Sequence, residues 1–331
     1  MKTMFIVNPA AGRGRCGHRW RAFLPQLAGA RFAFEVHATT RPGEASEVAR
    51  QAQRAGFERI VAVGGDGTLH EVVNGVAVGQ GVVGVLPFGT GNDVARSLGL
   101  PRRADALFEM LADNRTVSLD LALVNGRRCL MAAGVGFDGD VVARIRQHPG
   151  IQRLGKFGYA AGACAALFAF RPQPARITVD DTSLFVPRAW MITIANCPYY
   201  AGGMRICPDA RWHDGLLDVC VVADLDVGRF VRLFPLVFSG RHVRHHPYVT
   251  VLRGQRVCVQ AAAAWPGHTD GESLVADGLR AEVMQGGVRL LAAVPDLVPR
   301  ATKARADEER ADEERIDEKR ADKQMQGGGV P

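Results

Sequence analysis

Gly64-Gly65-Asp66-Gly67-Thr68 follows the apolar run Arg59-Ile60-Val61-Ala62-Val63 and precedes Leu69-His70-Glu71-Val72-Val73-Asn74-Gly75-Val76. The first run has the composition of a strand. The second places Leu69, Val72, Val73 and Val76 on one helical face. A strand, a glycine turn and a helix start in that order bring backbone N–H groups together on an anion. Asp66 adds a carboxylate, which beside bound phosphates can hold Mg2+ or steer a proton. A plain glycine-rich strand-to-helix turn requires neither the aspartate nor the threonine.

The same alternation extends on both sides. Strands are predicted at 3–7, 32–37, 59–63 and 82–86, with helices near 17–28, 43–55 and 68–78 and another opening at Val94. Pro42 near a helix start and Gly56 just past its end are the expected punctuation. Such alternation builds a parallel sheet covered by helices, with ligands at the carboxyl ends of its strands. The loops at those ends are Asn8-Pro9-Ala10-Ala11-Gly12-Arg13-Gly14, Thr39-Thr40-Arg41-Pro42-Gly43, the Gly64 loop, and Pro87-Phe88-Gly89-Thr90-Gly91-Asn92-Asp93. Each alone reads as turn chemistry. Together they describe a nucleotide pocket in which amides and hydroxyls bind phosphate. No GxxxxGK[ST] occurs, which excludes a P-loop enzyme.

From about residue 116 the texture changes. Thr116–Val124, the Asn125-Gly126 dipeptide and Arg127–Ala133 read as a hairpin. Strand-like runs follow at 175–179, 184–196, 216–222, 248–252, 256–260, 272–276, 281–285 and 288–292, interrupted by helical patterns near 137–147, 156–170 and 226–238. The expected architecture is therefore an α/β nucleotide-binding domain with a Rossmann-like parallel sheet over 1–120, then a mainly antiparallel β-sandwich over 121–295. Asp120 sits at the junction. Residues 296–331 form a low-complexity charged tail in which Ala306-Asp-Glu-Glu-Arg310 recurs as Ala311-Asp-Glu-Glu-Arg315. Five residues advance a helix by about 500°, so no apolar stripe forms there.

Composition narrows the class. The formal charge is +7, but residues 301–331 hold seven Lys/Arg and nine Asp/Glu, so the rest of the chain carries +9. A basic body suits nucleotide phosphates, anionic lipid or nucleic acid. Seven scattered cysteines, never spaced CxxC, suggest neither a disulfide framework nor a zinc site and fit a reducing cytosol. The strand-like start Met1–Val7 is expected to leave no room for a signal peptide. The most apolar segment, Tyr159 to Phe170, is shorter than the roughly 20 residues of a membrane span.

Five motifs in order carry a resemblance. Asn8-Pro9-Ala10, GGDGT at 64–68, Gly89-Thr90-Gly91-Asn92-Asp93, Asp214-Gly215-Leu216-Leu217-Asp218 and Asp270-Gly271-Glu272 make the chain, over about residues 1–295, similar to the diacylglycerol kinase catalytic family and most like its bacterial soluble branch. The resemblance implies an active site in the cleft between the two domains. It implies ATP on Asn8, Pro9, Ala10, Ala11, Gly12, Thr39, Gly64, Gly65, Asp66, Gly67, Thr68, Leu69, His70 and Thr90. It puts Asp66, Asp93 and Asp120 around ATP and a catalytic Mg2+, and makes Glu272 the base that takes the lipid hydroxyl proton. A structural Mg2+ is implied at Asp214 with the carbonyls of Arg211 and Leu216. His70 departs from the family, where many relatives have Asn.

Phosphoryl transfer needs positioning and charge neutralisation more than covalent help, so amide-rich loops, a metal ion and a carboxylate suffice. The expected acceptor is a diacylglycerol-like lipid met at an anionic membrane surface, which the Phe157–Phe170 segment with Arg153, Lys156 and Arg171 could touch. Diacylglycerol, monoacylglycerol, phosphatidylglycerol and a sphingoid base remain open. The expected place is the cytoplasm or the inner membrane face, with no nucleic-acid partner and a homodimer left open. Alternatives are an NAD kinase-like phosphotransferase, which shares GGDGT and a β-rich second domain, and a non-catalytic nucleotide- or lipid-binding regulator.

Overall fold

Four short apolar runs form the parallel strands β1 (Lys2–Val7), β2 (Ala33–Ala38), β3 (Arg59–Gly64) and β4 (Val82–Pro87) of a computed structural model that describes residues 1–147, 166, 167 and 169–292. Their order is β4-β3-β1-β2. Every residue of β3 and β4 is buried, as expected for central strands covered on both faces. The register pairs Val7 with Ala38 and with Val63, and Gly64 with Pro87. All four strands therefore end at one level, and the loops that follow start side by side.

Helices α1 (Arg15–Phe23), α2 (Glu44–Arg54), α3 (Asp66–Gly75), α4 (Asp93–Ser97) and α5 (Ala104–Asp113) complete this half. The first is shorter than expected. It gives way to a 3-10 stretch at Leu24–Gly29, where Pro25 lacks the N–H needed to continue an α-helix. The fifth lies outside the expected elements, although Leu107, Met110 and Leu111 recur at helical spacing and are buried.

The second half is antiparallel. β5 (Thr116–Val124) and β6 (Arg127–Cys129) form the expected hairpin, with Asn125 at φ 46° and Gly126 at φ 81° making a tight turn of the primed kind. Then follow β7 (Ala132–Gly136), α6 (Phe137–Gln147), β8 (Gln173–Val179), β9 (Thr182–Ala195), β10 (Leu217–Ala223), α7 (Val227–Leu233), β11 (Val249–Gly254), β12 (Arg256–Thr269) and β13 (Glu272–Leu291). Phe137, Phe170, Trp190 and Trp265 pack together in its core.

The three strands expected across 272–292 are one strand, β13, with a register shift between Met284 and Val288 at Gly286-Gly287. Its first part pairs with β12; its last residues pair with β5, and Leu290 pairs with Val83 of β4. β13 thus joins the antiparallel strands to the edge of the parallel ones. Met1–Ala293 forms one compact unit. Most of Phe157–Phe170 and the whole 296–331 tail lie outside the described residues. No helix among the described residues is long and apolar enough to cross a membrane.

A buried cation fastens the start of β3. Arg59 has no solvent exposure; its Nε donates to Thr3 Oγ1 at 2.9 Å and its Nη1 to Leu111 O at 2.5 Å, while the guanidinium lies over the Phe32 ring. Burial lowers its pKa to about 10. It caps the carboxyl end of α5, where a positive charge complements the exposed carbonyls. Arg59→Ala leaves a cavity and unpaired acceptors. It is expected to cost about 2–4 kcal/mol in urea unfolding, and an unchanged midpoint would contradict that account.

Candidate active site at the carboxyl edge of the parallel strands

The four loops meet through backbone. Gly89 N donates to Gly64 O at 2.8 Å, and a Cβ on Gly89 would fall 2.4 Å from the Cα of Gly65. Only two glycines allow that approach. Asn8 N donates to Val63 O at 2.9 Å and Asn8 Nδ2 to Thr68 Oγ1 at 3.2 Å, tying the first loop to the third. Gly12 has φ 61°, and a side chain there would meet Phe88 O at 2.8 Å. Thr39 is held by Val7 O through both its amide and its hydroxyl.

The arrangement fits a polyphosphate. Gly65 precedes α3 with no side-chain cap, so the first amides of that helix stay available to an anion. Asn92 Oδ1 is buried without a hydrogen-bond partner among the described residues, while its Nδ2 donates to Pro87 O and Gly89 O. Pro9, Ala10, Gly67 and Thr90 are exposed, and Ala11 is half-buried. Thr68 is buried beneath Gly64, and the Leu69 side chain lies wholly in the core. A ligand could meet Leu69 only through its backbone.

Negative charge gathers here. Asp66 accepts from the amides of Asp93 at 3.0 Å and Val94 at 3.1 Å, which pins the start of α3 to the start of α4. Burial, then the charge of Asp93, push its carboxyl up to about 6 against the pull of those amides. Asp93 itself is buried; it pairs with Arg96 and accepts from Gly202 N at 2.6 Å. A Cβ on Gly91 would lie 2.9 Å from Asp66 Oδ2, so the glycine keeps that oxygen approachable. Two oxygen donors crowded at a cost in charge repulsion fit a Mg2+ ion, a hard cation that prefers carboxylates and phosphates.

Asp270 and Glu272 come from the β12–β13 turn. Asp270 at φ 50° and Gly271 at φ 81° make a tight turn that sets Glu272 at the first position of β13, opposite Thr269. The Asp270 carboxylate accepts from Leu130 N, Met131 N and Ala132 N, from Cys129 Sγ, and from His70 Nδ1 at 2.7 Å. Burial opposes its charge, but His70 and the amides hold its pKa below the usual value. Burial also opposes the His70 imidazolium. There the hydrogen bond and charge of Asp270, with Glu272 and Glu71 nearby, prevail and raise its pKa. The α3 helix of the Gly64 loop is thus joined directly to the turn that carries Glu272. Asn74, one turn along α3, adds bonds to Arg128 N and O.

The remaining expected residues lie around a different turn. Asp120 is buried and accepts from Gly215 N at 2.8 Å and Gly286 N at 2.9 Å, so its partners belong to the 208–218 turn and the β13 shift, not to the Gly64 loop. Asp214 accepts from Leu216 N at 3.1 Å and pairs with Arg253, which also reaches Asp218 at 3.1 Å. Arg211 is exposed and Leu216 half-buried. No cluster of three or more His, Cys, Asp or Glu able to hold a metal occurs among the described residues.

Comparison with known proteins adds the following. Residues 2–124 match the family model for the diacylglycerol kinase catalytic domain, and residues 132–292 match that for the YegS C-terminal NAD kinase beta sandwich-like domain. A diacylglycerol kinase of Mycobacterium tuberculosis is 31% identical over 262 residues, covering 73% of this chain and 80% of that protein. A diacylglycerol kinase of Bacillus subtilis is 28% identical over 282 residues, covering 82% and 89%. A crystal structure of a diacylglycerol kinase from Bacillus anthracis shares the fold with a TM-score of 0.67 at 22% identity, covering 90% of this chain and 98% of that one.

The His70–Asp270 pair has a defined pH signature. A raised histidine stabilises the fold fully below its unfolded value of roughly 6.5 and loses that contribution as pH rises through the folded value. The depressed aspartate contributes above roughly 3.9 and loses it as pH falls through its folded value. The pair is therefore strongest between those limits. Urea unfolding of the wild type should weaken as pH rises past neutrality, and His70→Asn should lack that decline. A parallel decline in the variant would assign it to other groups.

Proposed function

The chain belongs to the diacylglycerol kinase family and is a lipid kinase, and we propose that it transfers the γ-phosphoryl group of ATP to the hydroxyl of a diacylglycerol-like lipid. The observation that carries this proposal is the joining of the uncapped start of α3 to the Glu272 turn through the His70–Asp270 pair. One side of the site offers amides and hydroxyls suited to phosphates. The other offers a carboxylate suited to an acceptor hydroxyl.

In this proposal the loops at 8–12, 39, 64–70 and 90 hold the nucleotide through backbone and hydroxyl contacts. Asp66 and Asp93 hold Mg2+, which when bound neutralises charge on the transferring phosphoryl group. Glu272 takes the proton of the lipid hydroxyl as the bond to phosphorus forms. Asp66 suits the metal better than the proton, because each of its oxygens already accepts an amide and the helix start fixes its direction. Asp120 supports the site from a distance by holding the 208–218 turn against β13. A second Mg2+ at Asp214, with the carbonyls of Arg211 and Leu216, would have to take the place of Arg253. The substrate is met at the inner face of an anionic membrane, where the chain acts as a peripheral protein.

Glu272→Gln keeps size and hydrogen-bonding shape but cannot accept a proton. With radiolabelled ATP and diacylglycerol in detergent micelles, turnover is expected to fall by about 10²–10⁴-fold with ATP affinity nearly unchanged. Asp66→Ala in a folded variant should abolish transfer, and no added Mg2+ should restore it. The two roles separate on metal. If the acidic limb of the wild-type rate profile moves to lower pH as Mg2+ rises, and Glu272→Gln keeps that limb at its reduced turnover, both assignments stand. A Glu272→Gln variant with most of its turnover would give the proton to Asp66 instead.

A further inference from the structure

Residues 227–247 contain four arginines and three histidines but no aspartate or glutamate. Within α7, Phe230 and Leu233 share the inward face, and Phe230 stacks on the buried Trp190 at 5.1 Å. Helical geometry turns Val231 and Arg232 the other way, while Val227 lies in the first turn. Val231 is 54% exposed and Val227 38%. The 3-10 stretch that follows, Phe234–Phe238, leaves Phe238 53% exposed, and the next, Arg241–Arg244, exposes both of its arginines while burying His242. Arg229 is paired with Asp226 and lies over the Tyr248 ring. Arg232, Arg241 and Arg244 make no ion pair or hydrogen bond among the described residues.

We propose that this face, Val227, Val231 and Phe238 with Arg232, Arg241 and Arg244, docks the kinase on an anionic bilayer. The proposal rests on the reading that the acceptor is a membrane lipid, and names the surface that brings the site to it. Apolar side chains set among unpaired guanidiniums match an interface of acyl chains below and phosphates above. A second copy of the chain fits less well, because a two-fold contact would bring like charges together across it. Phe137, Met191, Tyr200 and Phe230 line an apolar cavity on the inward side of α7. The outward face, not that cavity, is the docking feature.

The test is co-sedimentation of the full chain with phosphatidylcholine vesicles, with and without phosphatidylglycerol, beside turnover on a short-chain diacylglycerol dispersed as monomers. Wild type should bind only the phosphatidylglycerol vesicles. Arg232→Gln/Arg241→Gln/Arg244→Gln should weaken that binding roughly a hundredfold, since each arginine near such a surface contributes about 1 kcal/mol. Val231→Ser/Phe238→Ser should also weaken it, whereas Arg256→Gln/Arg280→Gln, exposed elsewhere, should not. Both docking variants should keep wild-type turnover on monomeric lipid. Wild-type vesicle binding by both, equal binding to neutral vesicles, or a loss of monomer turnover with vesicle binding would each overturn the proposal. So would a dimer that the docking variants dissociate while vesicle binding stays intact. Absence of lipid phosphorylation by the wild type, with vesicle binding as expected, would instead defeat the activity and leave the surface standing.

Discussion

Asp270 accepts from three successive amides, one thiol and the His70 imidazole, and has no exposed side-chain surface. A bare buried carboxylate would be driven toward its neutral form. Five donors reverse that balance and make the charge a structural anchor. The donors come from the β6–β7 connection and from α3, and the carboxylate sits in the β12–β13 turn. Three segments distant in sequence are therefore fixed by one group. Replacing it with an apolar side chain would leave those donors unpaired in the interior, which costs far more than the bonds contribute when made.

Glycine supplies the complementary constraint. The contact of Gly89 with Gly65 and the turn at Gly12 bring three loops within backbone reach of one another, because the parallel strands end in register. The helix start at Asp66 then faces a group of carboxylates that includes Asp93 and Asp270. Positive amide dipoles and negative side chains lie side by side, an arrangement that suits phosphates accompanied by a metal cation. Arg96 and Gly202 hold Asp93 in that group, linking the loop after β4 to the connection after β9.

Much of this was legible in the chain. Apolar runs of strand length separated by amphipathic stretches identify β1 to β4, and Asn125-Gly126 identifies its hairpin because only residues tolerant of positive φ make that turn. The GGDGT and GTGND loops announce themselves by residue types that ordinary turns do not need. The anchoring role of Asp270 was not legible. Its partners are mostly amides, which every residue carries, and they lie about 140 positions away. Asn92 gave no signal beyond its motif, since an unpartnered oxygen is a property of burial. The length of β13 was hidden by Gly286-Gly287, which reads as a break but is a shift of register within one strand. Family likeness groups Asp120 with the nucleotide, and no sequence signal announces its bonds to Gly215 and Gly286.

If one buried carboxylate sets the acceptor side of the site against the nucleotide side, its charge should matter to transfer and not to nucleotide binding. Asp270→Asn keeps the volume and part of the hydrogen bonding but removes the charge that His70 and the amides stabilise. The direct measurement is turnover on diacylglycerol at saturating ATP, with ATP affinity measured on the same folded variant. A fall in turnover of about tenfold or more, equivalent to at least ~1.4 kcal/mol of barrier, with ATP affinity unchanged is the predicted result. Wild-type turnover in Asp270→Asn would contradict the account.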